Sequence, residues 1–187
     1  MSGLEGYYGL VRRLVRGFEE AGVDYVFTGA LAASFYGAPR TTVDVDVVVW
    51  VVEGEQRAKL VSALRMAELV VEESEIDRAL LSGYRIARFG DSRTAYTVDV
   101  MFSDVKFEKR VGTVGGLRMF FQTPEDLVLA KLRMIKATVP RERALKDVDD
   151  VRAVLKFTRV DVEAVKVKAR KDKTLSILEE IMAEKSG

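Results

Sequence analysis

Asp44-Val45-Asp46 lies within Val43 to Val52, a run so apolar and β-branched that two carboxylates two residues apart need a physical reason to be there. In an extended strand successive side chains alternate, so residues i and i+2 share a face and one cation can bridge them. Like charges held side by side are unfavourable unless neutralised or coordinated, and a hard divalent metal with oxygen ligands is the usual remedy. Asp99 repeats the anomaly in Thr97-Val98-Asp99-Val100-Met101, where alternation sends the carboxylate to the face opposite its flanking valines. If that strand neighbours the first, three acids converge, a set able to hold Mg2+, or Mn2+ in its place, and to deprotonate an attacking hydroxyl. Taken alone, Asp99 also fits an edge-strand aspartate facing water.

The spacing itself is common in this chain. Glu53-Gly54-Glu55, Glu73-Ser74-Glu75, Asp147-Val148-Asp149 and Asp161-Val162-Glu163 share it, and most of these read as solvated pairs. The company of Asp44 and Asp46 sets them apart. Thr28-Gly29-Ala30 sits where a short strand becomes a helix, so backbone N–H groups and the positive helix end could receive phosphate oxygens, with Gly29 allowing close approach. The bland role of that glycine is a tight turn. Arg40, just before the carboxylate strand, could clamp a triphosphate with its planar fork or could pair with a surface acid.

Composition narrows the chemistry. Among 187 residues there is no cysteine and no histidine, which removes disulfides, thiolate nucleophiles, imidazole zinc ligands and serine–histidine hydrolysis. Catalysis must then run on carboxylates, Lys, Arg and hydroxyls, an inventory suited to magnesium-dependent phosphate chemistry. A 48% hydrophobic and 32% charged chain of this length can bury one sizeable core, and a net charge of +1 gives no global field for nucleic acid. No stretch reaches the length of a membrane span, and Met1-Ser2-Gly3-Leu4-Glu5 lacks a secretory pattern, so a soluble cytoplasmic protein with no membrane partner is expected.

Periodicity supplies the elements that must position these residues. Leu10 to Ala21 repeats apolar residues at helical spacing and ends at Gly22; Asp24 to Phe27 reads as a strand, and Ala30 to Tyr36 as a short helix closed by Gly37 and Pro39. The carboxylate strand follows, then a helix over Glu55 to Glu68 and strands over Tyr84 to Phe89 and Ala95 to Phe102. Val105 to Gln122 contains Gly112, Gly115 and Gly116 between β-rich runs, which suits a hairpin that ends in Leu117 to Phe121. Thr123-Pro124-Glu125-Asp126 starts a helix, with Thr123 as cap and Pro124 in the first turn. Helices over Leu127 to Ala137, Arg143 to Lys156, Val162 to Lys171 and Leu175 to Glu184 complete the chain. The expected plan is an α/β (α+β) half over residues 1–122 followed by a helical half over 123–187, with the join near Gln122.

Thr28-Gly29-Ala30-Leu31-Ala32, followed by Tyr36-Gly37-Ala38-Pro39-Arg40-Thr41-Thr42-Val43-Asp44-Val45-Asp46, resembles the signature of the DNA polymerase β-like nucleotidyltransferase superfamily. More narrowly, it resembles the AbiEii-like, abortive-infection branch, which includes toxins of toxin–antitoxin pairs, and the resemblance implies a nucleotidyltransferase-type mixed β-sheet flanked by helices with the C-terminal helical region packed on that core. In that family a Gly-Gly or Gly-Ser turn precedes an Arg-x-Thr-x-Asp-x-Asp strand and a third strand carboxylate, which correspond here to Gly29-Ala30, to Arg40, Thr42, Asp44 and Asp46, and to Asp99. The resemblance also implies a lysine on a later helix and a Lys-Asp helix beyond it, matched by Lys131 and by Arg143, Lys146, Asp147 and Asp150. Ala30 departs from the pattern, so a serine hydroxyl contact to phosphate is lost while backbone donation survives.

The resemblance implies metal on Asp44, Asp46 and Asp99, with Asp99 helping to take the proton from an acceptor hydroxyl. Thr28, Gly29, Ala30, Arg40, Thr42, Arg143 and Lys146 would bind nucleotide, Lys131 would offset charge on the leaving group, and Asp147 would orient Lys131 or Arg143. The implied reaction moves a nucleoside monophosphate from a nucleoside triphosphate to a hydroxyl, on RNA such as a tRNA end as in the toxin branch, with an antitoxin as partner protein. The alternatives are transfer to a small molecule and an inactive nucleotide- or protein-binding module of the same fold. Tyr36 and Trp50 could stack on a base but read better as core, and the basic run Lys166, Lys168, Arg170, Lys171 and Lys173 reads better as a solvated helix face than as an RNA track.

Overall fold

Burial alternates residue by residue along Asp44–Trp50 and Thr97–Ser103, with every valine between the acids buried and every acid half-exposed, which is the pattern of strands with one face in a core. The computed structural model describes residues 3–51 and 54–183. Met1 and Ser2 of the N-terminal reading, Val52 at the end of the predicted strand, Glu53 of one acid pair and Glu184 at the last predicted helix end lie outside the described residues. The chain clusters into two compact units, Met1–Thr28 with Thr41–Phe121, and Gly29–Arg40 with Gln122–Gly187.

The first unit holds the sheet. Its elements in chain order are α1 (Gly3–Ala21) and β1 (Tyr25–Phe27), then, beyond the short helix α2 (Gly29–Phe35) of the second unit, β2 (Asp44–Trp50), α3 (Glu55–Met66), β3 (Leu69–Val70), α4 (Glu73–Leu81), β4 (Ile86–Asp91), β5 (Thr97–Ser103), β6 (Lys109–Val114) and β7 (Leu117–Gln122). The seven strands lie in the order β3-β4-β5-β2-β1-β7-β6. β2 and β5 are parallel, β2 is antiparallel to β1, and β4 is antiparallel to β5, so the sheet is mixed as expected. Leu10, Val11, Leu14 and Phe18 of α1 are fully buried, and Phe18 meets Tyr25 of β1 with ring centroids 4.8 Å apart. α1 and α3 approach so closely at Gly17 that a Cβ there would land on the carbonyl of Ala63. The hairpin turns at Gly115 and Gly116, whose φ angles of 57° and 76° suit a two-residue turn with both centres left-handed.

The second unit is helical: α2, α5 (Pro124–Ala137), a 3₁₀ turn (Arg141–Ala144), α6 (Leu145–Phe157), α7 (Val162–Lys171) and α8 (Leu175–Ala183). The predicted cap forms, with the Thr123 hydroxyl accepting from the Asp126 N–H at 3.2 Å and Pro124 in the first turn. Helix α2 clusters with this unit because it packs on α5 and α6. Tyr36 is buried, its hydroxyl donates to the Gln122 carbonyl at 2.7 Å, and its own carbonyl accepts from Thr158 at 3.0 Å, so Tyr36 is a core residue. In the basic run, Lys166 pairs with Glu163 at 2.7 Å and Lys168 with Asp126 at 3.0 Å on the exposed helix surface. Among the described residues no helix is long and apolar enough to cross a membrane.

Three expectations need correction. Glu73–Leu81 forms α4, which the sequence reading did not include because its acid-rich start shows little apolar periodicity; Ile76 and Ala79 are nevertheless buried, and Arg57 and Arg65 neutralise Glu73 and Asp77. Tyr84 belongs to the turn before β4, not to the strand. Arg143 falls in the 3₁₀ turn, and the α-helix proper begins at Leu145.

Candidate active site

The acid row belongs to the first unit. Asp44 and Asp46 stand two apart on the half-exposed face of β2, and in the parallel register with β5 the partner of Asp46 is Asp99 and that of Asp44 is Thr97. All three carboxylates therefore share one sheet face. The backbone beneath them is pinned: the Thr28 N–H donates to the Asp46 carbonyl at 3.0 Å. The Thr42 hydroxyl both accepts from the Asp44 N–H and donates to the Asp44 carbonyl, each at 3.2 Å. The Thr97 hydroxyl donates to the Asp44 carboxylate at 2.5 Å.

The cation facing this row is Arg88, a residue the sequence reading missed. Arg88 on β4 is the register partner of Asp99 and grips it with both arms of the guanidinium, at 2.6 and 2.7 Å. Those hydrogen bonds above all, then the charge of Asp99 and after it the charges of Asp44 and Asp46, hold Arg88 protonated beyond its ordinary range. The signal was present in the alternation Ile86-Ala87-Arg88-Phe89, which puts an arginine on the polar face of a half-buried strand.

Such a row fits a hard divalent cation by its donors, which are all carboxylate oxygens, and by the positive group it already attracts. As the side chains stand, no three acids among the described residues close to metal-binding distance. Asp44 and Asp46 are the adjacent pair, and both oxygens of Asp99 are engaged by Arg88.

The second unit carries a different assembly. Lys131 on α5 and Asp150 on α6 are almost fully buried, 7% and 2% exposed. The Lys131 ammonium lies 2.7 Å from the Asp147 carboxylate and 2.7 Å from that of Asp150, two acids three residues apart on one helix face. Asp150 also receives Arg40, at 3.3 and 3.4 Å. Two cations and two anions thus neutralise one another. Asp150 is the hub of the network, and its i, i+3 relation to Asp147 was legible in the sequence. Arg143 and Lys146 are exposed and take no part in these ion pairs. Gly29 opens α2 with a φ of 58°, a conformation that favours glycine, and Ala30 is buried.

A family model described as nucleotidyl transferase AbiEii toxin, of a type IV toxin–antitoxin system, matches residues 12–185. The chain belongs to the AbiEii nucleotidyltransferase family. Among solved structures it is similar to the solution structure of the antibiotic-resistance factor ANT(2'')-Ia, at 15% identity and a TM-score of 0.61 over 94% of this chain and 96% of that one. The crystal structure of ANT(2'')-Ia in complex with adenylyl-2''-tobramycin gives 15% identity and 0.61 over 88% and 97%. An antigenic nucleotidyltransferase-like protein from Paracoccidioides brasiliensis gives 16% and 0.54 over 90% of each. At such identities the likeness establishes the fold. No curated protein sequence matches the chain. Family and fold together make it a nucleotidyltransferase, whose general reaction is transfer of a nucleoside monophosphate.

Proposed function

We propose that this family member transfers a nucleoside monophosphate from a nucleoside triphosphate to a hydroxyl on RNA, such as a tRNA end, in a magnesium-dependent reaction within a toxin–antitoxin context. The observation that carries the reading is the register of β2 with β5, which sets Asp99 beside Asp46 on the face that also bears Asp44. Asp44 and Asp46 would hold the cation, with Asp99 completing the set after release from Arg88. A divalent cation there supplies charge neutralisation on the phosphates and makes the attacking hydroxyl more acidic. Asp99 accepts the proton from that hydroxyl, which attacks the α-phosphorus in line as pyrophosphate departs. Thr42, Thr28 and Thr97 fix the strand and the Asp44 carboxylate in place before the reaction.

In the second unit, Lys131 is the cation for negative charge developing on the leaving group, held in place by Asp147 and Asp150. Arg40 and the left-handed turn at Gly29 are assigned to the phosphates, with Ala30 contributing its backbone only. Arg143 and Lys146 remain candidates for nucleotide contact because they are exposed cations.

Incubation with labelled triphosphates, magnesium and total RNA, beside an Asp46→Ala control, tests the reading. Label entering RNA in the wild type alone supports it. Label on a small hydroxylated acceptor but not on RNA would favour the small-molecule alternative, and magnesium-dependent triphosphate binding without transfer to anything would reduce the chain to a binding module.

A further inference from the structure

Helix α4 ends at Leu81 and is joined to β4 by the turn Ser82-Gly83-Tyr84-Arg85, where Leu81 and Tyr84 are 89% and 90% exposed. An aromatic so exposed contributes nothing to the fold, yet the turn that carries it is tightly held. The Ser82 hydroxyl donates to the Ala79 carbonyl at 3.0 Å and accepts from the Arg85 N–H at 3.0 Å. The Arg85 carbonyl accepts from Phe102 at 2.8 Å, the Arg85 guanidinium pairs with Asp104 at 3.1 Å, and Arg85 itself adopts a φ of 49°. Strain maintained in an otherwise well-bonded turn is a sign of a position under functional constraint.

Beside this turn lies an open cleft of about 210 Å³ lined by Arg78, Ser82, Ile86 and Arg88, with Glu75 as the acid on its wall. Arg78 makes no ion pair among the described residues, whereas the neighbouring acids Glu73 and Asp77 are taken by Arg57 and Arg65. Arg88 belongs at once to this cleft and to Asp99, so the cleft runs up to the acid row.

We propose that the Arg78–Arg88 cleft and the Tyr84 turn form the docking platform for the acceptor, a single-stranded RNA end that stacks a base on Tyr84 and lays its phosphates on Arg78 and Arg88. The inference rests on the transferase reading above and specifies where its acceptor enters, on the Asp99 side of the row. A rigidly presented aromatic beside arginines is what single-stranded nucleic acid binding requires, because every base has a face to stack and every nucleotide a phosphate to neutralise. Arg78, which makes no ion pair among the described residues, and Arg88 set two cations against the one acid Glu75 on the cleft wall, a balance that suits a polyanion. Capture of Arg88 by an acceptor phosphate also frees Asp99, so acceptor arrival and completion of the acid set are one event.

Fluorescence anisotropy with an end-labelled single-stranded RNA of about eight nucleotides, without triphosphate, measures the platform directly. Tyr84→Ala is expected to weaken binding by about tenfold or more, and Tyr84→Phe to retain most of it. Arg78→Ala is expected to weaken binding several-fold and to reduce the slope of log affinity against log salt by about 0.7. Thermal melts report whether either exposed substitution has altered folding. Wild-type affinity in both alanine variants would overturn the proposal, as would absence of RNA binding by the wild type at low salt. A concentration-dependent dimer that Tyr84→Ala dissociates would overturn it in favour of a second copy. Calorimetric triphosphate binding by the wild type, measured without RNA, separates the two readings: triphosphate bound but RNA ignored removes the platform and leaves the transferase, whereas RNA bound through Tyr84 with no triphosphate affinity supports the platform and removes the transferase.

Discussion

The acid row of the sheet and the ion network of the helical unit use the same residue types to opposite ends. On β2 and β5, three half-exposed carboxylates share one sheet face at the surface of the unit, with both oxygens of Asp99 held by Arg88. Around α5 and α6, Lys131 and Arg40 meet Asp147 and Asp150 one for one, and the central pair is buried. Like charges lined up at a half-exposed surface can be reached by a ligand that brings the opposite charge. Complete compensation in a buried site makes a fixed fixture, whose geometry is set before any ligand arrives.

Substitutions should separate the two regions cleanly. Asp46→Ala removes one carboxylate of the half-exposed row, so nucleotidyl transfer should fall by at least about a hundredfold while the melting temperature changes little. A melting temperature that falls steeply instead would show the row to be structural. Asp150→Ala should do the reverse in kind, leaving Lys131 and Arg40 short of a buried counter-charge and costing about 3–5 kcal/mol in chemical denaturation. Asp150→Asn, which keeps the shape and part of the hydrogen bonding, should cost less. If Asp150→Ala unfolds no more readily than wild type, the network is not the fixture described here.

Arg88→Ala sharpens the contrast from the other side. Removing the internal cation that competes for Asp99 should tighten Mn2+ binding about three- to tenfold, read by calorimetry or by the spin signal of free manganese. Unchanged metal affinity would mean that Arg88 does not hold the third acid back.

The smallest effect belongs to the exposed clamp that fastens α4. Hydrogen bonds from Arg57 are the leading cause of the lowered pKa of both Glu73 and Asp77, with Arg65 adding to the effect at Glu73. Folded-state values below the ordinary 4.5 and 3.8 mean that the stabilisation is present above those values and is lost as pH falls through the depressed ones. Arg57→Ala should therefore lower the melting temperature slightly at neutral pH, and the difference from wild type should disappear in acid. A difference that persists at low pH would assign the role of Arg57 to packing.

Much of this was legible in the chain itself. Valines alternating with acids over Asp44–Trp50 and Thr97–Ser103 can be satisfied only by strands with one buried face, and Thr123-Pro124 can hardly begin anything but a helix. Helix α4 was hidden because two buried residues, Ile76 and Ala79, carry it, and its acids Glu73 and Asp77 are held by Arg57, sixteen and twenty residues away in sequence.

Local sequence determined which residues alternate, where helices start and which side chains are chemically capable, since those follow from a few consecutive backbone angles and side-chain types. Partnership was decided only by the tertiary structure. Nothing in the order of residues places Asp99 opposite Asp46, Arg88 on Asp99, or Lys131 between Asp147 and Asp150, because strand register and helix packing depend on contacts made across tens of residues at once.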